Sequence, residues 1–180
     1  MTPEASFAWE VDPVEKHEYY DGEVFAMSPE RVRHAEVKAA AYLALRSALN
    51  QAQRACFVLP DGVSVRIDQD TVFEPDALVY CGARAHPDAT EITDPVIVVE
   101  VQSPSTRAVD SGLKLARYFS LASVMHYLIV DPVRQAVVHH YREGGGVGTE
   151  LLHEGTVRLD PPGLELAIED FFEAVRARSS

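Results

Sequence analysis

A single carboxylate inside an otherwise apolar run constrains this chain more than any other feature. Pro95-Val96-Ile97-Val98-Val99-Glu100-Val101 is rich in β-branched residues, continuous rather than alternating in hydrophobicity, and interrupted only by Glu100. Such a run predicts a strand covered on both faces and placed mid-sheet. A carboxylate there is costly unless it is paired or bound to metal. A second carboxylate, Asp76, follows Pro75 at the mouth of another apolar run, Ala77-Leu78-Val79-Tyr80. Any fold for this chain has to account for both.

The segments around these two runs carry the signals of a mixed α and β chain. Asp12-Pro13-Val14-Glu15 has the cap-then-proline start of a short helix, expected to end near Tyr20 before an Asp21-Gly22 turn. Glu23-Val24-Phe25-Ala26-Met27 reads as a strand stopped by Ser28-Pro29. The spacing of Val37, Ala40, Ala41, Ala44, Leu45, Ala48 and Leu49 predicts a long helix from about residue 32 to 51. Residues 56–59 and 63–67 are two short strands around Pro60-Asp61-Gly62, which predicts a hairpin. Residues 82–94 are rich in turn formers and charge, as a surface loop is. A second helix is expected over 110–122 and a strand over 126–130, so that 96–130 has the length of a right-handed parallel crossover. Residues 136–141 and 149–152 form a further pair about a Gly144-Gly145-Gly146 tip. Pro161-Pro162-Gly163 precedes a last short strand and a terminal helix over 169–178.

With 180 residues and 47% hydrophobic content, the chain suffices for one buried core and is read as one domain, residues 1–180. A formal charge of -12 argues against coating nucleic acid by bulk charge, though an enzyme can still meet DNA on a locally basic face. Cys56 and Cys81 are far apart in sequence and lack metal-ligand spacing, so neither a zinc site nor a disulfide framework is suggested and a cytoplasmic, reducing home is expected. The N-terminus shows no charged and apolar leader, and no run of about 18 apolar residues occurs, so neither export nor a membrane partner is expected.

On a strand, residues two apart share a face, so Glu100 and Gln102 point together and Val101 points away. Asp76, at the start of a neighbouring strand, is placed to bring its carboxylate beside Glu100. Those two carboxylates with the Val101 carbonyl are the hard oxygen ligands that Mg²⁺ prefers. Asp110, Lys114 and Tyr118 are spaced four apart and form one polar stripe on the following helix. Lys114 is thereby placed to swing over the metal, orient an attacking water and stabilise charge on a phosphate. Each residue also has a plainer explanation. Asp76 can be a turn residue, Lys114 a solvated partner of Asp110, His34 a helix-face residue near Arg31 and Arg33, and Glu23 a structural strand residue. His139, His140 and His153 are read as structural, since adjacent strand residues face opposite ways.

Taken in order, Pro75-Asp76, Glu100-Val101-Gln102 and Lys114 resemble the PD-(D/E)XK nuclease superfamily. More narrowly, the set Tyr19-Tyr20-Asp21-Gly22-Glu23, Met27-Ser28-Pro29, His34, Pro60-Asp61-Gly62-Val63, Pro75-Asp76, Glu100 to Thr106 with its Ser103-Pro104-Ser105-Thr106 block, Asp110, Lys114, Tyr118 and Ile129-Val130-Asp131-Pro132 resembles the Uma-type restriction endonuclease family. The resemblance covers about residues 10–172. It implies an α/β (α+β) restriction-endonuclease-like fold, a mixed β-sheet core flanked by helices with additional hairpins. It also implies Mg²⁺- or Mn²⁺-dependent hydrolysis of DNA phosphodiesters. Where the superfamily usually carries Lys, this chain has Gln102, and the lysine role passes to Lys114. Glu23 and His34 match the family's N-terminal motif and are expected to add a ligand or a phosphate contact.

Three functions remain open on sequence grounds: a metal-dependent endonuclease, a nucleic-acid-binding relative with a decayed site, and a protein-interaction module of the same fold. Arg31, Arg33 and Lys38, then Arg107, then Lys114 with Arg117, are candidates for a local basic rim that meets phosphates. Double-strand cleavage by one-site subunits further suggests a homodimer.

Overall fold

The computed structural model describes residues 17–20, 23–26, 30–102 and 111–176. Its centre is the apolar run identified above. Strand β8 (Pro95–Val101) lies inside a six-stranded sheet with β3 (Cys56–Pro60), β6 (Ala77–Cys81), β9 (His126–Asp131), β10 (Ala136–Glu143) and β11 (Gly146–Leu152), in the order β11-β10-β9-β8-β6-β3. Alternate residues of β8 bury against different cores, which explains its unbroken hydrophobicity. Ile97, Val99 and Val101 pack with Val37, Ala41 and Leu45 of helix α1 (Val32–Ala52). Val98 packs on the other face with Tyr118 of helix α2 (Ser111–Tyr118), Tyr127 and Ile129. The expected crossover is present: β8 and β9 are parallel, Ile97 standing opposite His126, with α2 between them in sequence.

A second, five-stranded sheet comprises β1 (His17–Tyr20), β2 (Glu23–Ala26), β4 (Ser64–Arg66), β5 (Thr71–Phe73) and β7 (Glu91–Ile92), in the order β2-β1-β5-β4-β7. A separate hairpin of β12 (Thr156–Leu159) and β13 (Leu164–Ala167) packs under α1 through Val157, Leu159, Leu164 and Leu166. Among the described residues no helix is long and apolar enough to cross a membrane.

Several sequence expectations are corrected. Residues 17–20 are a strand, not a helix end: Tyr19 and Tyr20 pair with Val24 and Glu23 on one side and with Val72 and Thr71 on the other. Aromatic β-propensity there outweighs the upstream cap signal. The expected hairpin over 56–67 does not form, because β3 pairs with β6 while β4 pairs with β5 in the other sheet. The turn residues Pro60-Asp61-Gly62, with Gly62 at φ +98°, redirect the chain between sheets rather than folding it back on itself. The loop over 82–94 contains β7, parallel to β4. The expected terminal helix is divided into a 3₁₀ turn (Ile168–Phe171) and α3 (Glu173–Arg176), and its residues 177–178 lie outside the described residues.

The cysteines are also corrected, for Cys56 and Cys81 form a disulfide across β3 and β6. Distance along the chain hid their register. Gly82 N–H donates to Ala55 O at 3.0 Å, so the adjoining Cys56–Cys81 pair occupies a non-hydrogen-bonded position, where opposed side chains come closest. The case for a reducing compartment that rested on unpaired thiols falls with it.

Candidate active site at the end of the central strand

The two carboxylates meet the same end of the sheet from neighbouring strands. Asp76 N–H donates to Val99 O at 3.0 Å, and Asp76 Oδ2 accepts from Val101 N–H at 2.6 Å. Asp76 therefore prolongs the β6–β8 ladder with its backbone on one bond and its side chain on the next. The next residue, Ala77, stands opposite Val99. Asp76 is 6% exposed, and burial of that degree requires partners. The other oxygen, Oδ1, pairs with Lys38 Nζ at 3.0 Å.

Lys38 was anticipated as part of a phosphate-binding rim. Instead its ammonium sits among three carboxylates, bonded to Asp61 Oδ2 at 2.8 Å, Asp76 Oδ1 at 3.0 Å and Glu30 Oε1 at 3.2 Å. Burial alone would push its pKa down. Asp76, seconded by Asp61, more than offsets that effect and holds it above the usual lysine value. For Glu30, burial is likewise opposed, and the bonds from His34 and Lys38 keep its carboxyl below the ordinary range.

Glu100 is held from the opposite face. Its Oε1 accepts from Lys114 Nζ at 3.2 Å and from Tyr118 O–H at 2.9 Å, so the four-residue spacing on α2 does bring both groups to one point. Lys114 is 4% exposed, with its ammonium 5.3 Å from the centre of the Phe73 ring. A solvated surface lysine does not describe it. The Phe73 ring packs edge-on to Tyr118, 5.4 Å between centroids, and confines the lysine on that side.

His34 joins the groups. Its Nε2 donates to the Val101 carbonyl at 2.5 Å, and its Nδ1 lies 2.6 Å from Glu30 Oε1. It thus ties the first turn of α1 to the last residue of β8 rather than standing on an open helix face. Gln102 continues the parallel ladder through its N–H to Val130 O at 2.8 Å, with a half-buried side chain. Arg31 and Arg33 are exposed beside His34. Glu23 opens β2 opposite Tyr20, in the other sheet. Arg107, Asp110, Met27-Ser28-Pro29, Asp21-Gly22, residues 12–16 and the Ser103-Pro104-Ser105-Thr106 block lie outside the described residues.

Two groups were missed in the sequence as site residues. In the sequence Asp61 stands as a turn former and as part of the Pro60-Asp61-Gly62-Val63 motif, and Lys38 as a rim cation, neither as a partner of Asp76. The available signal for Lys38 was its spacing of four from His34, the same spacing that singled out Lys114 and Tyr118.

Two sets of ion pairs result, Lys38 with Glu30, Asp61 and Asp76, and Lys114 with Glu100. The excess of negative charge and the hard oxygen donors suit a divalent cation such as Mg²⁺ or Mn²⁺. The carboxylates of Asp76 and Glu100 and the Val101 carbonyl are oxygen donors of the kind such an ion takes. Among the described residues no three His, Cys, Asp or Glu side chains converge as a ready cage, so water would complete the shell, as Mg²⁺ commonly requires.

Comparison with known proteins agrees with this architecture. A crystal structure from Anabaena variabilis, described as that of a "putative nuclease", superposes with a TM-score of 0.72 at 18% identity, covering 94% of this chain and 96% of that one. An uncharacterized protein of Synechocystis is 27% identical over 178 residues, 97% of this chain and 93% of its own length. The sequence profile of the Uma2 family, described as "Putative restriction endonuclease", matches residues 3–173, and the chain belongs to that family.

Proposed function

We propose that the protein is a Mg²⁺- or Mn²⁺-dependent endonuclease of the PD-(D/E)XK type that hydrolyses DNA phosphodiester bonds. The observation that carries this proposal is the placement of Lys114. Helix α2 delivers a buried ammonium to within 3.2 Å of the Glu100 carboxylate, offering from a helix the lysine that position 102 does not offer from the strand.

Asp76, Glu100 and the Val101 carbonyl would hold the ion, which when bound supplies Lewis acidity to water and phosphate. The protein's own groups do the rest. The Lys114 ammonium, held at Glu100, is assigned to orient a water or to meet a phosphate oxygen as its charge grows. Tyr118 fixes the Glu100 carboxylate, Val101 N–H fixes that of Asp76, and His34 fixes the Val101 carbonyl. Gln102 and Glu23 are assigned supporting roles near the scissile phosphate. Arg31, Arg33 and Arg107 are assigned to flanking phosphates, and a homodimer would bring two sites to the two strands.

Lys38 favours a second reading. An ammonium on Asp76 at 3.0 Å partly neutralises the carboxylate without a metal, as in a binding relative whose site has decayed. Purified protein incubated with plasmid and linear DNA, in Mg²⁺ or Mn²⁺ against EDTA, separates the two. Metal-dependent cleavage that Asp76→Asn abolishes supports the nuclease; an inert parent that still binds DNA supports the relative.

A further inference from the structure

Among the described residues β3 has no partner on its outer side, and a groove of about 590 Å³ runs along that edge. All five β3 residues line it, with α1 as one wall and the segment 84–89 as the other. The groove leads to the candidate site. Pro60 at its end pairs with Ala77, which follows Asp76, and the next residue, Asp61, accepts from Lys38. Along α1, His34 and Lys38 of the site are followed at four-residue spacing by Tyr42 and Arg46 of the groove wall.

Its charge is opposite to that of the whole protein. The sequence has 28 acidic residues against 16 Lys and Arg, yet among the described residues that line the groove there is no Asp or Glu, while Arg46, Arg84 and His86 are present. Both guanidiniums lie against aromatic rings. Arg46 is 6.0 Å from the Tyr42 centroid and donates to its hydroxyl at 3.1 Å. Arg84 is 5.5 Å from the Phe57 centroid, and Phe57 stacks on Tyr80 at 5.2 Å. Ala85 N–H donates to Tyr80 O–H at 3.2 Å and fixes the loop that carries Arg84. Arg66, Arg117, Arg134 and Arg158 each pair with a carboxylate, whereas Arg46 and Arg84 have none among the described residues. A guanidinium laid on a ring keeps in-plane donors for phosphate and an outer face on which a base can stack.

We propose that this groove holds one nucleic-acid strand running to or from the active site, with phosphates on Arg46 and Arg84 and a base on the outer face of Arg84. This rests on the nuclease assignment above. A duplex is read by an element that protrudes into its groove, while a recess with positive charge and stacking groups suits a single strand.

The test is fluorescence anisotropy of a labelled single-stranded oligonucleotide with the full-length protein in EDTA, across a salt series, beside plasmid cleavage by the parent in Mg²⁺. Arg46→Ala/Arg84→Ala is expected to bind about tenfold or more weakly. Loss of two phosphate contacts should also reduce the slope of log affinity against log salt by about 1.4. Arg158→Ala, in an exposed pair on β12, should match the parent. If the parent binds or cleaves and the double variant binds equally well, the strand lies elsewhere and the nuclease assignment stands. A double variant that binds equally well but sediments as a smaller species than the parent overturns the proposal in favour of a second copy on the β3 edge. A parent that neither binds nor cleaves overturns both.

Discussion

Replacing Lys38 by Met keeps most of the stem's packing and removes the charge that three carboxylates share. At 3.0 Å from Asp76, the gross attraction at an effective dielectric of 20 is about 5 to 6 kcal/mol. Desolvation of the ammonium and residual solvent access offset part of it, as the side chain is 12% exposed. A net loss of about 3 kcal/mol follows, because the buried Asp76 keeps only the Val101 N–H among its named partners. For a chain of this size that is a fall in Tm of about 6 to 12 °C. The pKa of Lys38 is raised, so its contribution is complete below the unfolded lysine value and is lost only as pH rises through the higher folded one. The deficit should accordingly be the same at pH 6 as at pH 8. Urea titrations of parent, Lys38→Met, Asp76→Asn and the double variant measure the coupling, expected at about 1 to 3 kcal/mol. With the competing ammonium gone, Mg²⁺ should raise the Tm of Lys38→Met more than that of the parent. An unchanged Tm, or additive single variants, would refute the assigned role of Lys38.

Lys114→Met should retain Mg²⁺-induced stabilisation and lose about a hundredfold or more in cleavage rate, measured by plasmid nicking, with Gln102→Lys restoring part of it. Burial first, and His139 second, push the pKa of His126 down to about 4 from the ordinary 6.5, against the pull of the Pro161 carbonyl and Asp160. The unfolded chain then binds the proton first, so stability is full above about pH 6.5 and falls by about 3 kcal/mol as pH drops toward 4. His139, itself bonded to Glu150 at 2.8 Å and shifted down by burial, acts in the same direction, and His126→Gln should flatten the acid limb of a urea-midpoint profile. Reduction of Cys56–Cys81 should lower stability by about 2 to 4 kcal/mol, read as the difference between melts with and without dithiothreitol, and Cys56→Ser should abolish that difference.

The parts of the fold legible in the sequence are those fixed by local periodicity. The continuous run of β8, the four-residue stripe of Val37, Ala41 and Leu45, and the Gly-tipped pair β10 and β11 each state their own structure and burial. Partner choice is not written locally. Pro60-Asp61-Gly62 has the chemistry of a hairpin turn, but β6 offers β3 a five-residue partner while β4 pairs with the three-residue β5, and the chain changes sheet. The disulfide was hidden for the same reason, since it depends on the register Cys56 opposite Cys81. At the site, Glu100 was visible because a charge in an apolar strand demands compensation, and Lys114 because a polar stripe on a helix has few uses. Lys38 and Asp61 lie in segments where charge is ordinary, and only their meeting across 23 residues of sequence gives them a role.

Asp76 serves the architecture before it serves any chemistry. Its side chain takes the place of a backbone acceptor for Val101 N–H, so the sheet itself asks for a short acceptor at this position whether or not DNA is ever cut. An aspartate at the corresponding place in a relative is therefore a weak marker of activity. The lysine and tyrosine that converge on Glu100 are the more informative pair, since nothing in the β-ladder requires them. For the same reason a loss-of-function test at residue 76 needs a stability measurement beside it, whereas Lys114→Met leaves the ladder untouched.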